Sequence, residues 1–219
     1  MESCMDTLRV MVPLVQDKLS HHHTTDSELE LETRVHGLTR SDFDLLLQSI
    51  YKDARFVKVS RDWQVTVDFF WQLDHVRGTS DAKNDLTFIR KTSVKVIDII
   101  PQTTYPHSFQ IRVSLNKEES IPKRNPNWGV PQWVRCKQRF SFLYNHEFRY
   151  DFTISCQGQT KEQAVKNPLQ YEFEIEYLGN KTKQHPIEIA AKLLHKTIAH
   201  GTTLPLPLGA LLFQHRIKQ

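Results

Sequence analysis

Residues 28–35 read "ELELETRV". Glu28, Glu30 and Glu32 take every second position, Arg34 continues the series, and Leu29, Leu31 and Thr33 fill the gaps. Side chains alternate across a β-strand, so this period puts charge on one face and apolar groups on the other. A row of like carboxylates is costly unless water, cations or a ligand meets it. The remainder of the chain decides which.

The same alternation recurs downstream. In "RCKQRFSF" (135–142), Arg135, Lys137, Arg139 and Ser141 share one face, and Cys136, Phe140 and Phe142 the other. In "RYDFTIS" (149–155), Arg149, Asp151 and Thr153 oppose Tyr150, Phe152 and Ile154. In "YEFEIEY" (171–177), Glu172, Glu174 and Glu176 oppose Tyr171, Phe173, Ile175 and Tyr177. In "IRVSLNKE" (111–118), Arg112, Ser114, Asn116 and Glu118 oppose Ile111, Val113 and Leu115. With 28–35, the strand candidates are 63–71, 86–91, 94–100, 108–116, 133–143, 147–156 and 171–177, eight in all.

Around these strands the spacing predicts helices over 38–53, with Thr39 or Ser41 as cap and Phe43, Leu46, Leu47 and Ile50 on one face, and over 186–200, with Pro186 near its first turn. Leu8, Met11, Val12 and Val15 suggest a short amphipathic helix, and "SHHHTTDS" (20–27) reads as a polar connector whose histidines are solvated loop. The expected organisation is an N-terminal helix and connector over 1–27, a barrel domain over 28–202, and a tail or linker over 203–219.

The bulk properties narrow the class. A chain of 219 residues, 39% hydrophobic and 25% charged, suits one globular domain with a short extension. No apolar run approaches the roughly 20 residues of a membrane span, and no basic region precedes the first apolar residues, so no signal peptide is expected. The net charge of +4 leans toward anionic partners. Cys4, Cys136 and Cys156 form no CxxC pair, which argues for a reducing compartment and against a disulfide framework or a zinc site.

Eight mostly antiparallel strands build a sandwich or a closed barrel. A single Glu-x-Glu-x-Glu strand is more often a solvent face, and Arg149 beside Asp151 alone is a weak ion pair. Two acidic triplets, a basic triplet and an Arg-x-Asp-x-Thr in one chain do not fit ordinary solvent faces. Pointed inward, they give a barrel with a charged lumen and apolar outer walls covered by helices. Facing carboxylates favour a hard divalent cation, Mg²⁺ or Mn²⁺, and rows of Arg and Lys grip phosphate oxygens. A metal-bridged polyanion surrounded by cations is what phosphoryl transfer needs. A non-catalytic barrel binding single-stranded nucleic acid is the rival. Trp63, Trp71, Trp128 and Trp133 would then stack on bases, although the acidic triplets would repel a phosphate backbone and the tryptophans are more simply packing residues.

From residue 28 to 177 this set resembles the triphosphate tunnel metalloenzymes, and among them the metal-dependent RNA 5′-triphosphatases of fungal, protist and large DNA virus mRNA capping. "ELETR" looks like the first acidic strand of that family and "YEFEIEY" like its last. "VTVDFF" with Asp68, "VRGT", "FIRKTS", "IRVSLNKE", "VRCKQRFSF" and "FRYDFTIS" match the strands between, in order. The resemblance implies an α+β, mainly β fold: a closed eight-stranded antiparallel β-barrel with flanking helices. It implies a metal held by Glu30, Glu32, Glu172, Glu174 and Glu176, with Glu28 and Glu30 as an alternative register for the first pair. Phosphate would be bound by Arg34, Lys91, Arg112, Arg135, Lys137, Arg139 and Arg149. Glu118, Arg77, Lys91, Arg139 and Asp151 would serve catalysis, with Glu118 orienting water and Thr153 supporting the wall. Arg90 competes with Lys91, and Glu119 with Glu118.

The implied activity is removal of the γ-phosphate from 5′-triphosphate RNA, and from free nucleoside triphosphates, leaving 5′-diphosphate RNA. A thiamine triphosphatase or inorganic tripolyphosphatase is the near alternative; the 27 residues ahead of the first acidic strand tilt the reading to the capping branch. No Lys-x-Asp-Gly nucleotidyl-transfer motif is present, so a guanylyltransferase would be a further domain or subunit, and a homodimer stays open. The implied setting is intracellular, in the nucleus or in a cytoplasmic viral factory or virion. The glycine-poor chain leans toward a viral protein.

Overall fold

The computed structural model describes residues 29–71, 75–102, 110–179, 186–201 and 212–216. The expected N-terminal helix, the histidine connector, Glu28 and most of the 203–219 tail lie outside the described residues.

Among the described residues ten strands run in chain order as β1 (Leu29–Leu38), β2 (Phe56–Lys58), β3 (Gln64–Trp71), β4 (Val76–Ser80), β5 (Leu86–Gln102), β6 (Gln110–Ile121), β7 (Trp133–Tyr144), β8 (Phe148–Gly158), β9 (Gln170–Tyr177) and β10 (Leu212–Arg216). The α-helices among the described residues are α1 (Arg40–Lys52), a single turn α2 (Lys161–Ala164) and α3 (Pro186–Gly201). Every strand pairing is antiparallel. The wall runs β5-β4-β3-β7-β8-β9-β1-β6 and closes by pairing β6 with β5. The result is a closed eight-stranded barrel, with β2 added to β7 and β10 to β5.

The strand number matches expectation, but the membership differs. The segments 86–91 and 94–100 form one strand, β5, whose register shifts between Ser93 and Lys95. The eighth wall strand is β4, "VRGTS", too short and too poor in apolar residues to stand out by period. Gly78 is required there, because a Cβ would lie 2.9 Å from the Phe88 ring and 3.0 Å from the Trp71 ring. Part of the expected tail is strand β10.

The period-two faces decide the packing. Leu29, Leu31, Val35, Ile111, Val113, Leu115, Phe140, Phe142, Tyr150, Phe152, Phe173 and Ile175 are buried on the outside of the barrel wall. Phe43, Leu46 and Ile50 of α1 and Ile189, Leu193 and Leu194 of α3 complete this core. Each such side chain contributes about 1.5–3 kcal/mol on leaving water. Thr33 interrupts the apolar face of β1, and its hydroxyl shares a 2.6 Å hydrogen bond with that of Thr197 on α3. Thr39 is the N-cap of α1, accepting from Asp42 N–H at 3.1 Å. A second cluster of Trp71, Val76, Phe88 and Trp128 closes the β3–β5 side. Trp63 packs against Phe43 and Phe140, so these three tryptophans serve packing. With the apolar faces outward, the charged faces line the lumen.

Candidate active site

Strand register sets the lumen chemistry. Glu32 of β1 stands opposite Glu176 of β9, and Arg34 opposite Glu174. On the other edge of β1, Glu32 faces Ser114 and Glu30 faces Asn116 of β6. Asp151 of β8 is opposite Glu174, and Arg149 opposite Glu176. Lys91 of β5 is opposite Glu118 of β6. Residues from five strands thereby meet, and Arg77 of β4 and Arg139 of β7 join them.

They enclose a cavity of about 140 Å³. Its acidic lining is Glu30, Glu32, Glu118, Asp151, Glu174 and Glu176; its basic lining is Arg34, Arg77, Lys91, Arg139 and Arg149. The charges are shared among several partners. Lys91 contacts Glu30 directly and lies 3.3 Å from Glu118 and 3.7 Å from Glu32. Arg34 contacts Glu174 directly, and Arg139 donates to Glu174 Oε2 at 3.0 Å and to Asp151 Oδ2 at 2.7 Å. Arg149 pairs with Asp151 at 3.1 Å and Glu176 at 2.5 Å. Arg139 Nε also donates to Thr153 Oγ1 at 3.2 Å.

Sequence reading did not single out the neutral hydrogen-bond partners. Ser114 Oγ donates to Glu32 Oε1 at 3.0 Å, Asn116 Nδ2 to Glu30 Oε2 at 3.4 Å, and Ser141 Oγ to Asp151 Oδ1 at 2.6 Å. Their signal was present, since all three sit on the charged faces already read. The two competing assignments separate by face. Lys91 and Glu118 line the cavity, whereas Arg90 and Glu119 pair with each other at 2.9 Å on the exposed side.

Other candidates lie elsewhere in the lumen. Arg112 forms a forked pair with Asp98, at 2.6 and 3.1 Å. Arg135 donates to Glu172 at 2.5 Å, and His36 lies 4.0 Å from the same carboxylate. Lys137 donates to Asp68 at 2.9 Å, and Thr79 completes that acid at 2.9 Å. Arg112, Arg135, Lys137 and Glu172 do not line the 140 Å³ cavity.

Electrostatics follow from burial. Burial raises the Glu32 pKa, and the neighbouring Glu174 and Glu30 add to the rise against Arg34. Burial would also raise Glu174, but the Arg34 and Arg139 guanidiniums overcome it and hold that carboxyl well below the usual range. Burial opposes ionisation of Asp68, and Lys137 and Arg77 outweigh it, lowering its pKa. Burial and then Arg139 depress Lys137 to about 8. Burial and then Arg34 depress His36 to about 4.

The donor set fits a hard divalent cation. It is all oxygen, its members repel one another, and the buried Oε1 atoms of Glu174 and Glu118 are met by the charges of Arg34 and Lys91. Among the described residues no three acids or histidines already stand in chelating geometry. Lys91 and the arginines hold the carboxylates at the positions where a cation would compete.

The sequence profile described as "mRNA capping enzyme, beta chain" matches residues 6–192. The chain belongs to that family. No curated protein matches the sequence. Among solved structures, the S. pombe Pct1 RNA triphosphatase superposes with a TM-score of 0.59 at 17% identity, covering 88% of each chain. The Mimivirus capping enzyme triphosphatase superposes with a TM-score of 0.55 at 14% identity, covering 90% of this chain and 97% of that one. Pct1 has also been seen in complex with the Spt5 CTD, with a TM-score of 0.59 at 16% identity over 90% and 89% of the two chains. Likeness at this identity shows the triphosphate tunnel fold, and the profile shows the family. The chain thus belongs to the RNA triphosphatase family of mRNA capping, a family of phosphatases, and the family implies a divalent metal. The thiamine triphosphatase, tripolyphosphatase and non-catalytic readings are not favoured.

Proposed function

We propose that the 140 Å³ cavity holds the terminal phosphates of 5′-triphosphate RNA with Mg²⁺ or Mn²⁺, and that the enzyme releases the γ-phosphate to leave 5′-diphosphate RNA. Free nucleoside triphosphates present the same phosphates. The observation that carries the reading is the charge balance of the wall: six carboxylates against five cations. Alone, that wall disfavours a polyanion; with a divalent cation its sign reverses and the same arginines become phosphate ligands.

Glu30, Glu32, Glu174 and Glu176 are the carboxylates that would hold the ion, which supplies charge neutralisation and polarisation of the phosphate oxygens. Arg34, Arg139 and Arg149 present forked donors to nonbridging oxygens, and Lys91 and Arg77 add positive charge where the transition state gathers negative charge. Glu118, whose Oε1 lies 3.3 Å from Lys91 without a hydrogen bond, accepts one from the attacking water and aims its oxygen at the γ-phosphorus. The new P–O bond forms as the bridge to the β-phosphate breaks. The β-phosphate leaves as the RNA terminus, and the water protons end on phosphate or solvent. Asp151 orients Arg139 and Arg149, and Thr153 steadies Arg139. Lys137, anchored by Asp68, adds positive potential beside Arg139. Arg112, Arg135 and Glu172 hold the wall through their own pairs. The following capping step requires a guanylyltransferase, in this polypeptide or in a partner.

Side-by-side turnover of γ-labelled triphosphate RNA, thiamine triphosphate and tripolyphosphate tests the substrate. RNA should be used best and yield a diphosphate end. A kcat/KM about tenfold higher for either small triphosphate would overturn the capping assignment.

A further inference from the structure

A second cavity, of about 440 Å³, adjoins the acidic one. It is lined by Phe70, Trp71, His75, Val76, Arg77 and Lys91, and is mostly apolar. Its size falls in the range of small-molecule sites, about 300–1,000 Å³. Arg77 and Lys91 belong to both linings. The space opens where β5 leaves β4. Lys91 N–H donates to His75 O at 3.0 Å, and no described strand covers that edge of β5 over 92–97.

We propose that this pocket receives the base and ribose of the first nucleotide of the triphosphate substrate. The inference rests on the triphosphate reading above. Arg77 and Lys91 then grip the phosphates that join the nucleoside to the γ-phosphate. Three observations carry it. The lining joins aromatic side chains to two cations that it shares with the acidic cavity, as a nucleotide joins a base to its phosphates. Arg77 Nε is buried without a hydrogen-bond partner, and its nearest carboxylate, Glu118, is 3.9 Å away, so this cation is available to a ligand. Phe70 lies on the same strand face as Asp68, two residues on, and is half-buried, leaving ring surface for stacking. A further cavity among the described residues, about 420 Å³ beside His36 and Glu172, shares no lining residue with the acidic one, so it offers no direct continuation for a nucleotide held there.

The consequence is a direction of entry: RNA approaches from the β4–β5 opening with its γ-phosphate leading. The test pairs kinetics with a spectroscopic probe. In Phe70→Ala the ratio of kcat/KM for triphosphate RNA to that for tripolyphosphate should fall about tenfold, the scale of one lost base–aromatic stack, and Phe70→Tyr should restore it. General damage to the fold would lower both substrates together and leave the ratio unchanged, which would overturn the inference. Independently, triphosphate RNA carrying 2-aminopurine as its first nucleotide should lose fluorescence on binding wild type with Mg²⁺, and not on binding Phe70→Ala. Unquenched fluorescence at saturation overturns the pocket assignment even if phosphate is released. If quenching occurs without any phosphate release, the nucleotide pocket stands and the hydrolytic reading fails.

Discussion

The lumen holds two kinds of charge, and they differ in bookkeeping. On one side acids and bases are matched in pairs: Asp98 with Arg112, Glu172 with Arg135, Asp68 with Lys137 and Thr79. On the other, Lys91 is shared by three glutamates, and Arg139 and Arg149 by two acids each. Pairing of the first kind satisfies burial and reaches the site only through its field. Sharing of the second kind leaves capacity for a ligand. The contrast separates wall from site within one barrel, among side chains of the same types.

The comparison breaks most sharply at Glu30. Glu30→Ala should reduce metal-dependent phosphate release by roughly 10³-fold or more, while the thermal midpoint hardly moves, because Lys91 keeps Glu32 and Glu118 nearby. A large loss of stability with activity retained would make Glu30 a wall residue.

Asp68 should behave the opposite way. Asp68→Ala strands Lys137 and Thr79 in the lumen and should cost about 3 kcal/mol of stability, read by chemical denaturation. Asp68→Asn combined with Lys137→Gln should recover much of it, and the double-mutant cycle gives the coupling. A strictly additive cycle would show that the pair is not the wall element described.

A pH profile sharpens the same contrast. Lys137, depressed to about 8, is charged below that pH and neutral above it. The positive potential it adds is therefore lost on the alkaline side, and kcat/KM should fall up to tenfold per pH unit above about pH 8. Lys137→Arg keeps its charge and should remove that limb. An unchanged alkaline limb in Lys137→Arg would assign it to another group.

The smallest effect concerns His36. Its pKa is lowered from 6.5 to about 4, so the unfolded chain takes up a proton before the folded one does. Its contribution to stability is present above pH 6.5 and is lost as pH falls toward 4. His36→Gln should flatten that part of the stability–pH curve, and an identical acid slope would remove His36 from it.

Much of this was legible in the sequence because a period of two is a strong local signal. "ELELETRV" and "YEFEIEY" announced both a strand and its charged face, and the outer core of Phe140, Phe142, Phe152 and Phe173 followed by alternation. Choices between neighbours, Lys91 or Arg90 and Glu118 or Glu119, needed only the strand phase that the structure supplies. What the sequence withheld depends on the stagger of the closed barrel. Arg112 meets Asp98 and Arg135 meets Glu172 across registers that no local pattern encodes. The isolated acid in "VKVIDII" was the available hint of the first pair. Strand β4 escaped the period count because five residues with a central glycine carry almost no period, and only the resemblance set "VRGT" among the strands. The aromatic cavity escaped because Phe70 of β3, Arg77 of β4 and Lys91 of β5 come from different strands and meet only at the β4–β5 opening.

The central claim is that the shared cluster, and not the matched pairs, is a metal-dependent phosphate-releasing centre. The most direct measurement is release of labelled γ-phosphate from triphosphate RNA with Mg²⁺, with Mn²⁺ and with EDTA, by wild type and by Glu30→Ala/Glu174→Ala. Release with metal, none with EDTA and none from the double variant is the expected result. Release that persists in EDTA, or in the double variant, would contradict the claim.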